Sequence, residues 1–181
     1  MEVKKNMFKV ERLVVGFLGE NCYIVSNNND DALIIDPGDE GDKIISFIKE
    51  HKYNVKAILI THYHFDHIGA LESIKNEFKV DVIDYNNQVS VDGFDFEIIK
   101  NYGHTLDCVS YYFKKEKVMF TGDFIFKDTI GNYKDENYKV MLESLIKFKN
   151  GNYNGVTIYP GHGDQTNYDY EIENNPFLEG L

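Results

Sequence analysis

The chain has 181 residues, of which 43% are apolar and 27% are charged, and its formal net charge is −11. These values predict one soluble globular domain over residues 1–181, and the negative charge argues against both a nucleic-acid surface and binding to anionic membranes. Residues 1–12 lack the apolar core of a signal peptide, and no run approaches the roughly 20 apolar residues of a membrane span. Cys22 and Cys108 are far apart and are expected in the core, so we predict a cytoplasmic protein.

Apolar runs separated by turn residues predict the elements in chain order. Strands at 8–15 and 21–26 around Gly16 and Gly19 indicate a hairpin, and a strand at 32–35 ends sharply at Asp36. The later elements are a helix at 39–52, a strand at 55–60, a helix at 68–78, strands at 80–83, 94–102, 108–113 and 118–121, a helix at 137–149 and a strand at 156–159. Beyond Asp164 the chain reads as an acidic tail, with Tyr168 and Tyr170 packed on the surface and Glu171 and Glu173 on a solvated face.

Residues 61–67, Thr-His-Tyr-His-Phe-Asp-His, place four possible metal ligands directly after the buried strand at 55–60. His62 and His64 are two residues apart, so in an extended segment they project to the same side. Asp66 and His67 follow after the chain begins to turn and can face a different point. The spacing therefore predicts two adjacent metal positions, since imidazole and carboxylate are costly to crowd together without a cation.

The other histidines support this interpretation. His104 and His162 each stand beside glycine just after an apolar run, whereas His51 lies in a charged helical segment and is expected to be solvated. Each candidate ligand follows a strand, so the ligands should converge on one edge of a layered α/β fold.

With these motifs the chain resembles the metallo-β-lactamase-fold hydrolases, and within them glyoxalase II, the hydroxyacylglutathione hydrolase. Residues 61–67 match the pattern T-H-x-H-x-D-H, and Gly-His-Thr at 103–105, Gly-Asp at 122–123 and Gly-His-Gly at 161–163 follow in order. The resemblance implies a four-layer αββα sandwich. It assigns one metal to His62, His64 and His104 and the other to Asp66, His67 and His162, with Asp123 bridging the two.

The implied cofactors are two divalent ions, most typically zinc, although iron and manganese accept the same ligands. The hypothesis that follows is attack by a bridging hydroxide on the carbonyl of a small-molecule thioester or ester, with Asp66 and Asp123 as catalytic residues. No serine or cysteine nucleophile is then needed.

Several positions depart from the glyoxalase II pattern. Asn132 stands where the family often has arginine or lysine, and Asp107 stands where it usually has glycine. For the helical C-terminal domain that contacts glutathione in full-length members we expect no counterpart in this protein, and the segment 83–94 is short. These differences leave the metal motifs intact, and they keep a smaller thiol ester, another ester or a lactone open as the substrate.

Two alternative functions remain. Persulfide dioxygenases resemble glyoxalase II and use one iron held by two histidines and one aspartate, which here would be His62, His104 and Asp123. A non-catalytic metal-binding domain is the other. A β-lactamase is disfavoured, because those with this motif typically have cysteine where Asp123 stands. Asp36 is interpreted in two ways, as a carboxylate that orients a ligand or as a turn-forming residue before Pro37.

Overall fold

The computed structural model describes residues 8–87 and 89–181. The first seven residues, part of the stretch predicted to lack a signal peptide, lie outside the described residues. Two five-stranded sheets form the centre of the fold. The first contains β1 (Lys9–Val15), β2 (Glu20–Ser26), β3 (Asp31–Ile35), β4 (Asn54–Leu59) and β5 (Asp81–Ile83) in that order. Strands β1, β2 and β3 pair antiparallel, whereas β3, β4 and β5 are parallel.

The second sheet is formed by the later part of the chain. Its strands are β6 (Glu97–Lys100), β7 (Val109–Phe113), β8 (Val118–Gly122), β11 (Thr157–Pro160) and β12 (Thr166–Asn167), in the order β12-β11-β8-β7-β6. A two-stranded ribbon, β9 (Ile125–Phe126) and β10 (Thr129–Ile130), follows β8. Sequence reasoning missed this ribbon and β12, because each of their strands has only two residues.

Helices cover the outer faces of both sheets. They are α1 (Gly41–Glu50), α2 (Phe65–Ile68), α3 (Leu71–Phe78), α4 (Tyr138–Lys149) and α5 (Tyr168–Asn174). Three apolar clusters separate the layers. One packs α1 and α3 on the first sheet, one lies between the two sheets, and one packs α4 and α5 on the second. This layering confirms the predicted αββα sandwich, and none of its helices, within the described ranges, is long and apolar enough to cross a bilayer.

Two predicted elements are shorter than expected. The helix predicted at 68–78 is divided, because the backbone N–H of Ala70 donates to the carbonyl of Pro37 at 3.0 Å and α3 begins only at Leu71. The strand predicted at 94–102 is confirmed only at its centre, in β6.

The prediction of a solvated face is wrong for Glu171, and the prediction of packing on the surface is wrong for Tyr168. Glu171 is fully buried and accepts hydrogen bonds from the hydroxyl of Thr166, the backbone N–H of Asp128 and the amide of Asn175. Tyr168 is also buried, and its hydroxyl donates to the carbonyl of Lys149 at 2.6 Å. Helix α5 therefore packs on the second sheet as part of the core.

Candidate metal centre

All seven predicted ligands meet at one edge of the sandwich, beyond the carboxyl ends of the strands. Two follow β4, two belong to α2, and the others follow β6, β8 and β11; they are His62, His64, Asp66, His67, His104, Asp123 and His162. Convergence of this kind is expected where loops leave the same edge of a layered fold.

The first group consists of His62, His64 and His104, whose donor atoms all lie within 4.8 Å of one another. Nδ1 of His64 lies 3.1 Å from Nε2 of His62 and 2.9 Å from Nε2 of His104. Three imidazole nitrogens thus face a common point. His62 is buried, whereas His64 is exposed, so this side of the site opens toward solvent.

The second group consists of Asp66, His67 and His162, again with donor atoms within 4.8 Å of one another. Oδ2 of Asp66 lies 3.2 Å from Nε2 of His162 and 3.9 Å from Nε2 of His67. His67 is completely buried, which places this group deeper in the fold than His64.

Asp123 lies between the two groups. Its Oδ2 is 3.5 Å from Nε2 of His104 in the first group and 3.7 Å from Nε2 of His162 in the second. Its Oδ1 is 3.3 Å from Nε2 of His67. One carboxylate therefore reaches both clusters of donors, as the resemblance predicts for a bridging ligand.

Hydrogen bonds on the far side of the rings fix which nitrogen faces the cluster. The Thr61 hydroxyl donates its single proton to Asp36 at 2.6 Å, so at 3.1 Å from Nδ1 of His62 it acts as the acceptor. Nδ1 of His67 donates to Asp36 at 2.9 Å, and Nδ1 of His104 donates to the backbone carbonyl of Asn132 at 2.5 Å. In these three rings Nε2 is left free to bind a cation.

Both interpretations of Asp36 are confirmed. Its backbone has a positive φ of 49° at the turn before Pro37, and its carboxylate holds His67. Thr61 and the Asn132 carbonyl were not predicted to contribute. The threonine stands inside the motif and offered a signal, whereas a backbone carbonyl leaves none in a sequence.

The charges of the cluster favour a bound cation. Burial would lower the pKa of His67, but the carboxylates of Asp123 and Asp36 outweigh it and raise the pKa to about 11. Burial would raise the pKa of Asp123, but His67 lowers it to about 2. Burial and the charge of His67 lower the pKa of His62 to about 2, so its ring is a neutral donor. The carboxylates thus need a positive charge beside them, and a metal ion can supply it in place of the proton on His67.

The donor atoms also fit a metal by a second criterion. Within the described part of the chain, Nε2 of His67 and Oδ1 of Asp123 are buried without a hydrogen-bond partner, although they face each other. Buried polar atoms are rarely left unpaired, and here they point into a set of imidazole and carboxylate donors. This donor set suits zinc, iron or manganese, so the residues present fit divalent ions.

Close backbone packing holds the two sheets' ligands together. A Cβ added at Gly161 would lie 2.3 Å from Oδ1 of Asp123 and 2.6 Å from Cε1 of His67. A Cβ added at Gly122, whose φ is 50°, would lie 2.3 Å from the Thr61 hydroxyl. The glycines beside the ligands are therefore required by the approach of β8 and β11 to the motif.

Residues 15–87 and 79–162 match the metallo-beta-lactamase superfamily, and the chain belongs to that family. Two curated relatives match almost end to end. The hydroxyacylglutathione hydrolase GloC of Haemophilus influenzae is 28% identical and is matched over 93% of this chain and 97% of its own length. The probable metallo-hydrolase YqgX of Bacillus subtilis is 29% identical, over 96% of this chain and 99% of its own.

Solved structures agree with this assignment. The BLEG-1 B3 metallo-beta-lactamase superposes with a TM-score of 0.85 at 26% identity, covering 95% of this chain and all of its own. TTHA1623, crystallised in a di-iron-bound form, superposes with a TM-score of 0.82 at 26% identity, covering 93% of this chain and all of its own. The family and the donor groups together support a hydrolase that binds divalent metal ions.

Proposed function

We propose that the protein is a binuclear metal-dependent hydrolase of a thioester or ester. The observation that carries this proposal is the position of Asp123, whose carboxylate faces one group of three donors with Oδ2 and the other group with both oxygens. Paired sites of this kind are typical of enzymes that hydrolyse polar bonds with two ions.

Each residue of the centre has a defined task in this proposal. His62, His64 and His104 would hold one ion, Asp66, His67 and His162 the other, and Asp123 both. Divalent ions bound there would supply Lewis acidity, which activates water at neutral pH and polarises a carbonyl oxygen. Asp66 and Asp123 face the reacting atoms, and we propose them as the catalytic carboxylates.

The protein's contribution beyond its ligands is orientation. Asp36, Thr61 and the Asn132 carbonyl hold the outward nitrogens of three rings, so those rings cannot turn away from the centre. The cysteines offer no competing nucleophile: both are buried, and burial raises the pKa of each thiol well above its usual range.

A thioester is favoured over other substrates by the relatives. GloC, a chain matched over 97% of its length, carries the name hydroxyacylglutathione hydrolase, so that name does not require an additional domain. Position 132 still differs from the family pattern, because asparagine stands where the family often has a positively charged arginine or lysine. We therefore propose a thioester or ester without specifying glutathione.

The test combines metal analysis with hydrolysis by purified protein. We expect about two metal ions per chain and turnover of S-lactoylglutathione or of simple esters and thioesters. Asp123→Ala should lower kcat by about 100-fold or more, since misplacing reacting groups by 1 Å already has an effect of this size. Asp95→Ala, at an exposed ion pair with Lys115, is the matched control and should retain wild-type turnover.

Other outcomes would refute the proposal. Turnover by Asp123→Ala with normal metal content would remove the assigned bridge. One iron per chain, oxygen uptake on a persulfide and no hydrolysis would identify a dioxygenase. Metal binding without turnover of any of these substrates would indicate a non-catalytic domain. Turnover confined to a β-lactam assayed beside them would indicate a lactamase.

A further inference from the structure

The tip of the β1–β2 hairpin exposes two large apolar side chains. Phe17 and Leu18 occupy the middle of a turn between Gly16 and Gly19, closed by a backbone hydrogen bond of 3.3 Å between the two glycines. Phe17 is 86% exposed and Leu18 is 48% exposed. The turn is tied to the start of α1, because the N–H of Gly16 donates to the Glu40 carboxylate at 3.1 Å. It therefore presents these side chains in a defined position.

A third exposed aromatic side chain faces this tip from the metal motif. Phe65, between the ligands His64 and Asp66, is 64% exposed and stacks on Phe17 with ring centroids 6.4 Å apart and planes inclined by 21°. Sequence reasoning assigned no role to Phe17 or Phe65. Exposed apolar groups that cluster in this way usually mark a binding surface.

The hairpin tip and the motif enclose a notch. Phe17, Leu18 and Phe65 form its apolar side, and Gly38, Gly69 and Asp66 line it as well. Its volume is about 150 Å³, which is about the size of an apolar cavity that holds benzene. Because Asp66 is a proposed metal ligand, a molecule reacting at the centre can place one substituent here.

The chemistry of the notch selects the kind of substituent. Among the described residues that line it, none is basic, and its charged members are Asp39 and Asp66. An anionic group would be repelled by these carboxylates, whereas an apolar group would cover the aromatic rings. The anionic ends of glutathione therefore do not belong in this notch.

We propose that the notch of Phe17, Leu18 and Phe65 binds an uncharged apolar substituent of the substrate, of about six carbon atoms. This inference rests on the proposed function, since it defines which thioesters or esters that centre prefers. Both the acyl side and the thiol side of the scissile bond can carry such a substituent, and the experiment distinguishes them.

The test measures kcat/KM over two series of substrates: acyl thioesters of N-acetylcysteamine from acetyl to octanoyl, and acetyl thioesters of alkanethiols of increasing length. In one of the two series we expect kcat/KM to rise by about two- to threefold for each added methylene, up to about six carbons. This is less than the roughly fourfold increase expected when a methylene is completely buried. Phe17→Ala and Phe65→Ala should lower the ratio of six-carbon to two-carbon kcat/KM by about fivefold or more. Phe177→Ala, an exposed phenylalanine after α5, is the matched control and should keep the ratio.

A second measurement does not depend on turnover. Hexan-1-ol is added to protein with ¹³C-labelled leucine methyl groups, and the Leu18 signals should shift to saturation in wild type and more weakly in Phe17→Ala. Saturable binding with no hydrolysis of any substrate would refute the proposed function but not the notch. Hydrolysis with no dependence on chain length and no Leu18 shifts would refute the notch alone. A wild-type dimer that becomes a monomer in Phe17→Ala, again without chain-length dependence, would show instead that this patch joins two copies of the chain.

Discussion

The carboxylate of Asp36 lies 2.9 Å from Nδ1 of His67 and accepts two further hydrogen bonds from Thr61, of 2.7 Å from its backbone N–H and 2.6 Å from its hydroxyl. All of these groups are buried. One side chain outside the ligand set thus fixes both the ring of His67 and, through the threonine hydroxyl, the ring of His62.

Asp36→Asn should therefore weaken metal binding without unfolding the protein. Asparagine tolerates the positive φ at this position, but its amide nitrogen cannot accept a hydrogen bond from His67 or Thr61. We expect metal affinity to fall by about 10- to 100-fold. The free energy of unfolding should fall by about 2 kcal/mol. Metal competition and urea unfolding measure the two effects.

The control for this substitution is Asp95→Asn, because Asp95 is exposed and pairs only with Lys115 among the contacts described. Its metal affinity and stability should equal those of wild type. An Asp36→Asn protein with unchanged metal affinity would show that the hydrogen bond to His67 does not position that ring.

Gly161→Ala should disrupt the centre through backbone geometry. The added Cβ would lie 2.3 Å from Oδ1 of Asp123, and the backbone cannot retreat easily, because Gly161 N–H donates to Gly122 at 2.9 Å and its carbonyl accepts from Asn21 at 2.8 Å. Displacing Asp123 by about 1 Å should lower kcat about 100-fold. Single-turnover kinetics and metal analysis of the purified variant would measure this loss.

Gly163→Ala, two residues away, separates crowding from backbone strain. Its φ is 75°, so alanine is strained there by about 1 kcal/mol, but its Cβ meets no described atom within 4 Å. We expect a slightly lower Tm with full metal content and wild-type kcat. Equal losses of activity in both variants would mean that strain at this loop, rather than contact with Asp123, is decisive.

The grouping of five histidines was predictable, because each comes after an apolar strand and only His51 stands elsewhere in the chain. Aspartate is common in the chain, so Asp66 and Asp123 were predicted from their motifs and not from their residue type. The order of strands and helices predicted a layered α/β fold, and the resemblance of the motifs implied the αββα sandwich. Contacts between residues distant in sequence were not predictable in this way. His104 is held by the backbone carbonyl of Asn132, and every residue has such a carbonyl, so the sequence does not single it out. Glu171 accepts a hydrogen bond from the backbone of Asp128, which lies 43 residues earlier in the chain. Strands of two residues, such as those of the β9–β10 ribbon and β12, are also too short to be recognised in a sequence.

Asn132 offers a test of how much the missing rim cation matters. Its side chain is exposed, and its contribution to His104 comes from the backbone, which substitution preserves. If the proposed hydrolase accepts glutathione thioesters, Asn132→Arg should lower KM for S-lactoylglutathione by about two- to fivefold, the effect of one exposed ion pair, with metal content unchanged. Asn174→Arg, at an exposed position of α5, is the control and should leave KM as in wild type. An unchanged KM in Asn132→Arg would place the thiol portion elsewhere on the surface.

Glu171 and Glu173 are two residues apart on α5, and their contrast tests the role of the buried carboxylate. Glu171 accepts three hydrogen bonds, from Thr166, Asp128 and Asn175, whereas Glu173 is exposed. Glu171→Ala removes the buried acceptor of these three hydrogen bonds and should lower the free energy of unfolding by about 3 kcal/mol. Glu173→Ala should change it by less than about 0.5 kcal/mol.

The same pair of variants tests how α5 supports the metal centre. Helix α5 packs on the sheet that carries β11, and His162 follows β11. The Glu171 variant should therefore bind metal less tightly at urea concentrations near its unfolding midpoint, but normally at concentrations well below it. Urea titrations at matched metal concentration would show this, and equal stability of the two variants would contradict the buried network.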